Sequence, residues 1–211
     1  DRLLDFYYRF FRTLNPQEEI LVSIKGGTPQ MQNALRLQAV SSTIQKQLFI
    51  EPKLSVKNIL VGQPSQCELI AYWKYMRNQK YQTVYQLLER WDFDGAISIL
   101  KSWHSILTFL DNKDVLSKGE IKQSRKRLDS VIAGLSIARS LFNLDIKGGR
   151  SIINDDDDKI DRSSFNQYFK LDEFLNENNY DSLLNLYTQC CIYQEISQTA
   201  NFLARVGSFY E

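Results

Sequence analysis

Residues 20–31 read ILVSIKGGTPQM, and no other stretch limits the possible fold so tightly. Ile20, Leu21, Val22 and Ile24 form a short apolar run with the composition of a buried strand. The run meets Gly26 and Gly27, residue types that enter the left-handed backbone region without a steric penalty. Thr28 offers a hydroxyl suited to a helix N-cap. Pro29 fits the first helical position, where a missing N–H costs no intrahelical bond. Strand, tight turn and helix in that order make half of an α/β unit.

Neighbouring segments extend this unit. LLDFYYRFFRTL places Leu3, Phe6, Tyr7, Phe10, Phe11 and Leu14 at helical spacing. Asn15-Pro16 stops that helix, because a residue before proline is pushed out of the α region. The helix after the turn is expected from about Pro29 to Gln45, with Met31, Ala34, Leu35 and Gln38 on one face. QLFIE at 47–51 and NILV at 58–61 read as further short strands separated by Pro52. A parallel sheet needs several strands and a cover on both faces, so residues 1–64 read as part of a Rossmann-like α/β domain. Asp1 opens the chain inside an amphipathic pattern, which fits a fragment.

Beyond Pro64 the alternation ends. Residues 65–211 show helical periodicity and no convincing strand, and read as an all-α domain. CELIAYWKYMRNQKYQTVYQLLERW supplies one or two helices. DFDGAISILKSWHSILTFL supplies another, with Ala96, Leu100, Trp103, Leu107 and Leu110 as its apolar stripe. SRKRLDSVIAGLSIARSLFNL turns Leu128, Ile132, Leu135 and Leu141 inward. GGRSIINDDDDKIDRSS at 148–164 reads as a loop. Two helices follow, around SFNQYFKLDEFLNEN and YDSLLNLYTQCCIYQEISQTANFLARVGSFY. Overall the chain is expected to be mostly α.

A formal net charge of +1 gives no bulk attraction to nucleic acid or membrane, so any anion site must be local and direct DNA binding is not expected. No stretch approaches the roughly 20 apolar residues of a membrane span. Three cysteines, Cys67, Cys190 and Cys191, cannot all pair, and none has zinc-site spacing. Cys190 and Cys191 read as small buried apolar residues, and a reduced, cytoplasmic setting fits best.

The strand–GGTP–helix junction holds the strongest chemical signal. Bare glycine backbone and the unpaired N–H groups of a helix N-terminus make a local anion site. Thr28 either caps the helix or donates its hydroxyl, while Lys25 and Gln30 add donors. Ligands of open α/β sheets bind beyond the carboxyl ends of strands, where this turn falls. The same residues also suit a plain strand-to-helix turn, and two glycines do not decide between these readings. His104, the single histidine, reads as a half-buried packing residue without a catalytic partner. The acidic run 155–158 lacks calcium-loop spacing. KQSRKR at 122–127 reads as a solvated basic face, with RNA contact as its alternative. WDFDGA at 91–96 reads as a corner before a helix capped by Asp92 or Asp94.

At this point VSIKGGTPQMQNAL resembles the glycine-rich motif of CARF domains, the Rossmann-like sensors of type III CRISPR antiviral defence. The matching residues are Gly26, Gly27, Thr28, Pro29, Met31, Ala34 and Leu35. WDFDGA and YDSLLNLYTQCCIYQE are similar to the helical part of Csm/Csx-type effectors, and about a dozen residues in all carry the likeness. The resemblance implies a homodimer that binds a cyclic oligoadenylate across its two-fold axis. Lys25, Gly26, Gly27, Thr28, Gln30 and Met31 would lie nearest the ring, no cofactor would be needed, and the helical domain would relay the signal. It also implies that the first half of the sensor domain lies before Asp1. Many members carry a HEPN ribonuclease whose motif sets a His a few residues after an Arg. Here the nearest Arg before His104 is Arg90, and no His follows Arg205, so that nuclease is not assigned to these residues. Two alternatives stay open: cleavage of the ring in the sensor pocket, and a helical interaction scaffold without a nucleotide site. A dinucleotide enzyme is weaker still, since the three-glycine fingerprint is not found.

Overall fold

The computed structural model describes residues 2–53, 60–64, 66–155 and 182–208. In chain order these form α1 (Arg2–Thr13), β1 (Ile20–Ser23), α2 (Pro29–Ser41), β2 (Gln47–Lys53), β3 (Gln66–Ile70), α3 (Trp73–Leu88) and α4 (Phe93–Asn112). Then follow α5 (Lys118–Phe142), α6 (Ile146–Asp155), α7 (Ser182–Glu195) and α8 (Thr199–Gly207). An α/β portion followed by helices is the observed architecture. The chain forms two compact units, one of Asp1–Gln82 and Trp103–Ile121, the other of Thr83–Ser102 and Lys122–Glu211.

In the first unit, the β1–α2–β2 crossover makes β1 and β2 parallel, in register from Ile20↔Gln47 to Ser23↔Ile50. β3 then pairs antiparallel with β2, from Phe49↔Ile70 to Lys53↔Gln66, so β2 is central in a mixed sheet. Alternation along β1 turns Val22 inward, and Ile24 just beyond continues the pattern. Both join Phe11, Ala39, Val40, Ile44, Phe49 and Met76 in one cluster. Phe49 is fully buried and meets the Tyr72 ring edge-on at 4.7 Å. Burial of such a side chain contributes about 1.5–3 kcal/mol, and this cluster is what holds α1 and α2 on the sheet.

Several expectations need correction here. Cys67–Ile70, read as helical, is strand, because β2 continues past Pro52 to Lys53 and offers a ladder as far as Gln66. Of the strand expected at 58–61, Asn58 and Ile59 lie outside the described residues, Leu60 is helical and Val61 is in a turn. α2 ends at Ser41 rather than near Gln45. Ser42 turns extended, with its N–H and hydroxyl both donating to Ala39 O, and the buried Gln47 amide donates to Ala39 O and Ile44 O. Only part of the α1 stripe is used: Phe11 is buried with Tyr7 and Leu14 packed nearby, whereas Leu3, Phe6 and Phe10 are exposed.

Further along this unit, the α4 residues Trp103, Leu107 and Leu110 are buried as their spacing predicts. Trp103 packs edge-on against Trp73 at 5.8 Å and Tyr81 at 5.0 Å. α5 starts in a capping box: Glu120 N–H donates to Ser117 Oγ at 3.3 Å, and the Ser117 hydroxyl donates to Glu120 Oε2 at 3.0 Å. Those Ser117 bonds, helped by Lys74, hold the Glu120 carboxyl below its usual range.

The second unit is built around aromatic rings. Trp91 stacks on Phe142, which meets Phe93 and Tyr193 at larger angles. Asp92 is the α4 cap, accepting from Gly95 N–H at 2.8 Å, while Asp94 pairs with Arg139 at 2.8 Å. On the part of α5 in this unit, Leu128 is buried and Ile132, Leu135 and Leu141 half-buried, but its most enclosed residues are Ala133 and Ile137, packed with Ile153. Ile153 belongs to α6, so residues 148–155 are helix rather than loop. Asp145 caps it by accepting from Gly148 N–H at 2.9 Å, and the isoleucines give it an inner face. Residues 156–164, with most of the acidic run, and 164–178, the first of the two late helices, lie outside the described residues. The last expected helix is two, α7 and α8, because Ser197 takes φ +59° and Gln198 N–H folds back onto Tyr193 O. Cys190 is buried, and burial pushes its thiol pKa up, but Cys191 is exposed.

Candidate functional site

The parallel pairing of β1 and β2 sets both carboxyl ends at the same end of the sheet, and the glycine turn leaves from there. Ile24 N–H still donates to Ile50 O at 3.2 Å, so the strand is held until one residue before Lys25. Gly26 and Gly27 then take φ +93° and +75°, both in the region that L side chains avoid. These two left-handed residues reverse the chain into Thr28, whose extended backbone is that of an N-cap. Thr28 Oγ1 accepts from Met31 N–H at 3.3 Å, and Thr28 O accepts from Gln32 N–H at 3.0 Å.

All six residues singled out from the sequence, Lys25, Gly26, Gly27, Thr28, Gln30 and Met31, lie exposed in this one turn. Met31 covers Gly27 closely: a Cβ there would stand 3.4 Å from Met31 Cβ and 3.5 Å from its sulfur. Gly26 has open space on that side. Its φ alone therefore requires glycine. Gln32, outside the six, also belongs to the turn: its side-chain amide donates to Gly26 O at 3.1 Å. In a trans peptide the carbonyl and the following N–H point in opposite directions. Holding Gly26 O toward α2 therefore turns Gly27 N–H away from the helix. No local sequence signal marks Gln32, because the bond spans six residues across a turn of unusual dihedrals.

A second polar group braces α2 against the sheet. Arg36 Nη2 lies 2.6 Å from Glu51 Oε1, and Tyr72 donates its hydroxyl to the same oxygen at 3.0 Å. Burial, then the bond to Glu51, raises the Tyr72 pKa above its ordinary value. Arg36 and Glu51 remain about one-third exposed (33% and 31%), so the pair is screened and serves more to orient than to stabilise.

His104 is half-buried on α4, as its spacing predicts. Among the described residues, no group of three or more His, Cys, Asp and Glu side chains is placed to hold a metal ion, and no helix is long and apolar enough to cross a membrane. Comparison with family models, curated proteins and solved structures finds no match for this chain. What the turn can do chemically is present the Gly27 N–H, the Thr28 hydroxyl and the exposed Lys25 side chain to a compact anion.

Proposed function

We propose that this chain is the sensor portion of a cytoplasmic type III CRISPR-Cas antiviral effector. It binds a cyclic oligoadenylate at the turn Lys25–Met31, and the helices that follow relay the bound state. The observation that carries this reading is the pair of positive-φ glycines between a parallel strand and a threonine-capped helix. A phosphodiester ring is a local polyanion, which suits a site of exposed N–H donors at the positive end of a helix in a chain of near-zero net charge. Gly27 N–H, aimed outward by the Gln32 bond, is the donor best set to meet a phosphate.

Calorimetric titration of the full chain with cyclic tetra-adenylate and cyclic hexa-adenylate, against a linear oligoadenylate control, tests the reading. Heat with one ring, lost in Gly27→Ala, is the expected result. No heat with either ring sinks it, and the turn then has a structural role only.

A further inference from the structure

We propose that the α3–α4 contact holds a small phosphate-type oxyanion among Trp73, Arg77 and Lys80 of α3 and Trp103 of α4. All four residues lie in the first unit. Positions 73, 77 and 81 form one i, i+4, i+8 row along α3. Trp103 meets both ends of that row, Trp73 at 5.8 Å and Tyr81 at 5.0 Å between ring centroids. Arg77 sits between those two contacts, with its Cζ 6.0 Å from the Tyr81 centroid. The adjacent row is Met76, Lys80 and Val84, and both of its apolar members are buried. Lys80 thus occupies a position that packing alone would give to an apolar residue.

The contact carries a surplus of donors. Trp73 and Trp103 are only 4% and 2% exposed, yet neither indole N–H has an acceptor. Arg77 Nε is buried as well and also donates to nothing. Lys80 is half-buried, and loss of water holds its ammonium pKa below the usual lysine value. Neither basic group has a carboxylate partner among the described residues, and residues 73–88 include no acid. Lys74, exposed on the same helix, does find one: Glu120 at 3.4 Å.

Buried donors are normally paired, and buried charge is normally matched by opposite charge. A neutral acceptor would serve the indoles and leave both cations unmatched. One oxyanion answers all four groups. Its charge offsets the two cations, and its several oxygens accept from indole, guanidinium and ammonium at different angles. The inference does not rest on the nucleotide reading, because none of these residues belongs to the turn at 25–31.

Tryptophan fluorescence reports on the site directly, since two of the three tryptophans line it. Titrating the full chain with inorganic phosphate, at ionic strength held constant with sodium chloride, should give a saturable change. Arg77→Met and Lys80→Met keep a long stem and should each weaken binding about tenfold or more, the loss of one charge-assisted bond. Phosphate also stabilises proteins in general, through exclusion from their surface, so melting is followed in parallel. It should raise the wild-type melting temperature more than that of either variant. No saturable change in wild type overturns the proposal, whether or not the variants fold. Equal stabilisation of all three chains overturns it as well, as does unchanged affinity in both variants. A response lost in Gly27→Ala but kept in Arg77→Met assigns the ion to the glycine turn and overturns it too.

Discussion

Two turns in this molecule solve the same local problem in opposite ways. At residues 25–28 and again at 91–95 the backbone enters a left-handed conformation and then starts a helix behind a capping side chain, Thr28 in one case and Asp92 in the other. At the second turn Trp91, at φ +58°, lays its ring on Phe142, and Phe93 is buried beside it. Apolar contact offsets the strain. At the first turn no side chain from Lys25 to Met31 is buried, and the two left-handed residues are glycines, which take that conformation without strain. Unusual backbone that packing explains is architecture. Unusual backbone left bare, with Gln32 donating to Gly26 O, is what the proposed ring site would use.

The largest effect that tests this contrast is in the core of the second turn. Phe93→Ala should cost about 3–5 kcal/mol, read as a shift in the urea midpoint followed by near-ultraviolet circular dichroism. Met31→Ala, on the exposed turn, should stay within about 0.5 kcal/mol. If the two variants lose similar stability, the first turn is packed in solution and the comparison fails.

Glycine substitutions sharpen it. Gly26→Ala and Gly27→Ala each force a Cβ into a left-handed residue and should cost about 1–2 kcal/mol, with ring binding lost in Gly27→Ala. Gly95 has no positive φ, and its problem is space: a Cβ would stand 2.5 Å from Asp92 Oδ2. Gly95→Ala should therefore act by displacing the cap. Losing that cap costs about 1 kcal/mol, and adding Gly95→Ala to Asp92→Ala should cost little more. Full additivity of the two would show that Gly95 matters for another reason.

How much of this was legible beforehand follows from the range of each interaction. The strand Ile20–Ser23, the glycine reversal, the Thr28 cap and the α4 stripe rest on neighbours within a few residues, and the pattern shows them. Cys67–Ile70 is strand because Phe49–Pro52 lies beside it, a partner distant in sequence that no local pattern reveals. Residues 148–155 carry two glycines and an acid yet form a helix, since Asp145 caps it and Ile153 finds Ala133 and Ile137. Cys191 is exposed beside the buried Cys190 because adjacent helical positions face about 100° apart. That Lys25, Gly26, Gly27, Thr28, Gln30 and Met31 share one exposed turn was legible, while the Gln32 bond was not. Its role depends on the direction of one carbonyl, which only the folded turn defines.

The smallest expected effect concerns the brace under α2 and has a definite pH window. Tyr72 keeps its proton more tightly in the folded chain than its ordinary pKa of 10.0 implies, first through burial and then through the hydrogen bond to Glu51. The folded state therefore holds more protons than the unfolded state once pH exceeds about 10, and linkage makes stability fall across that interval. Below the unfolded pKa the contribution is fully present, and it is gone once pH has risen through the folded pKa. Tyr72→Phe removes the titrating group along with its bond, so wild type should be the more stable at pH 8, by about 0.5–1.5 kcal/mol for one hydrogen bond. The difference should shrink steadily above pH 10 when both chains are unfolded by urea at each pH. A constant difference up to pH 11 would mean that Tyr72 titrates normally. The Arg36–Glu51–Tyr72 group would then not hold the helix that carries the exposed turn.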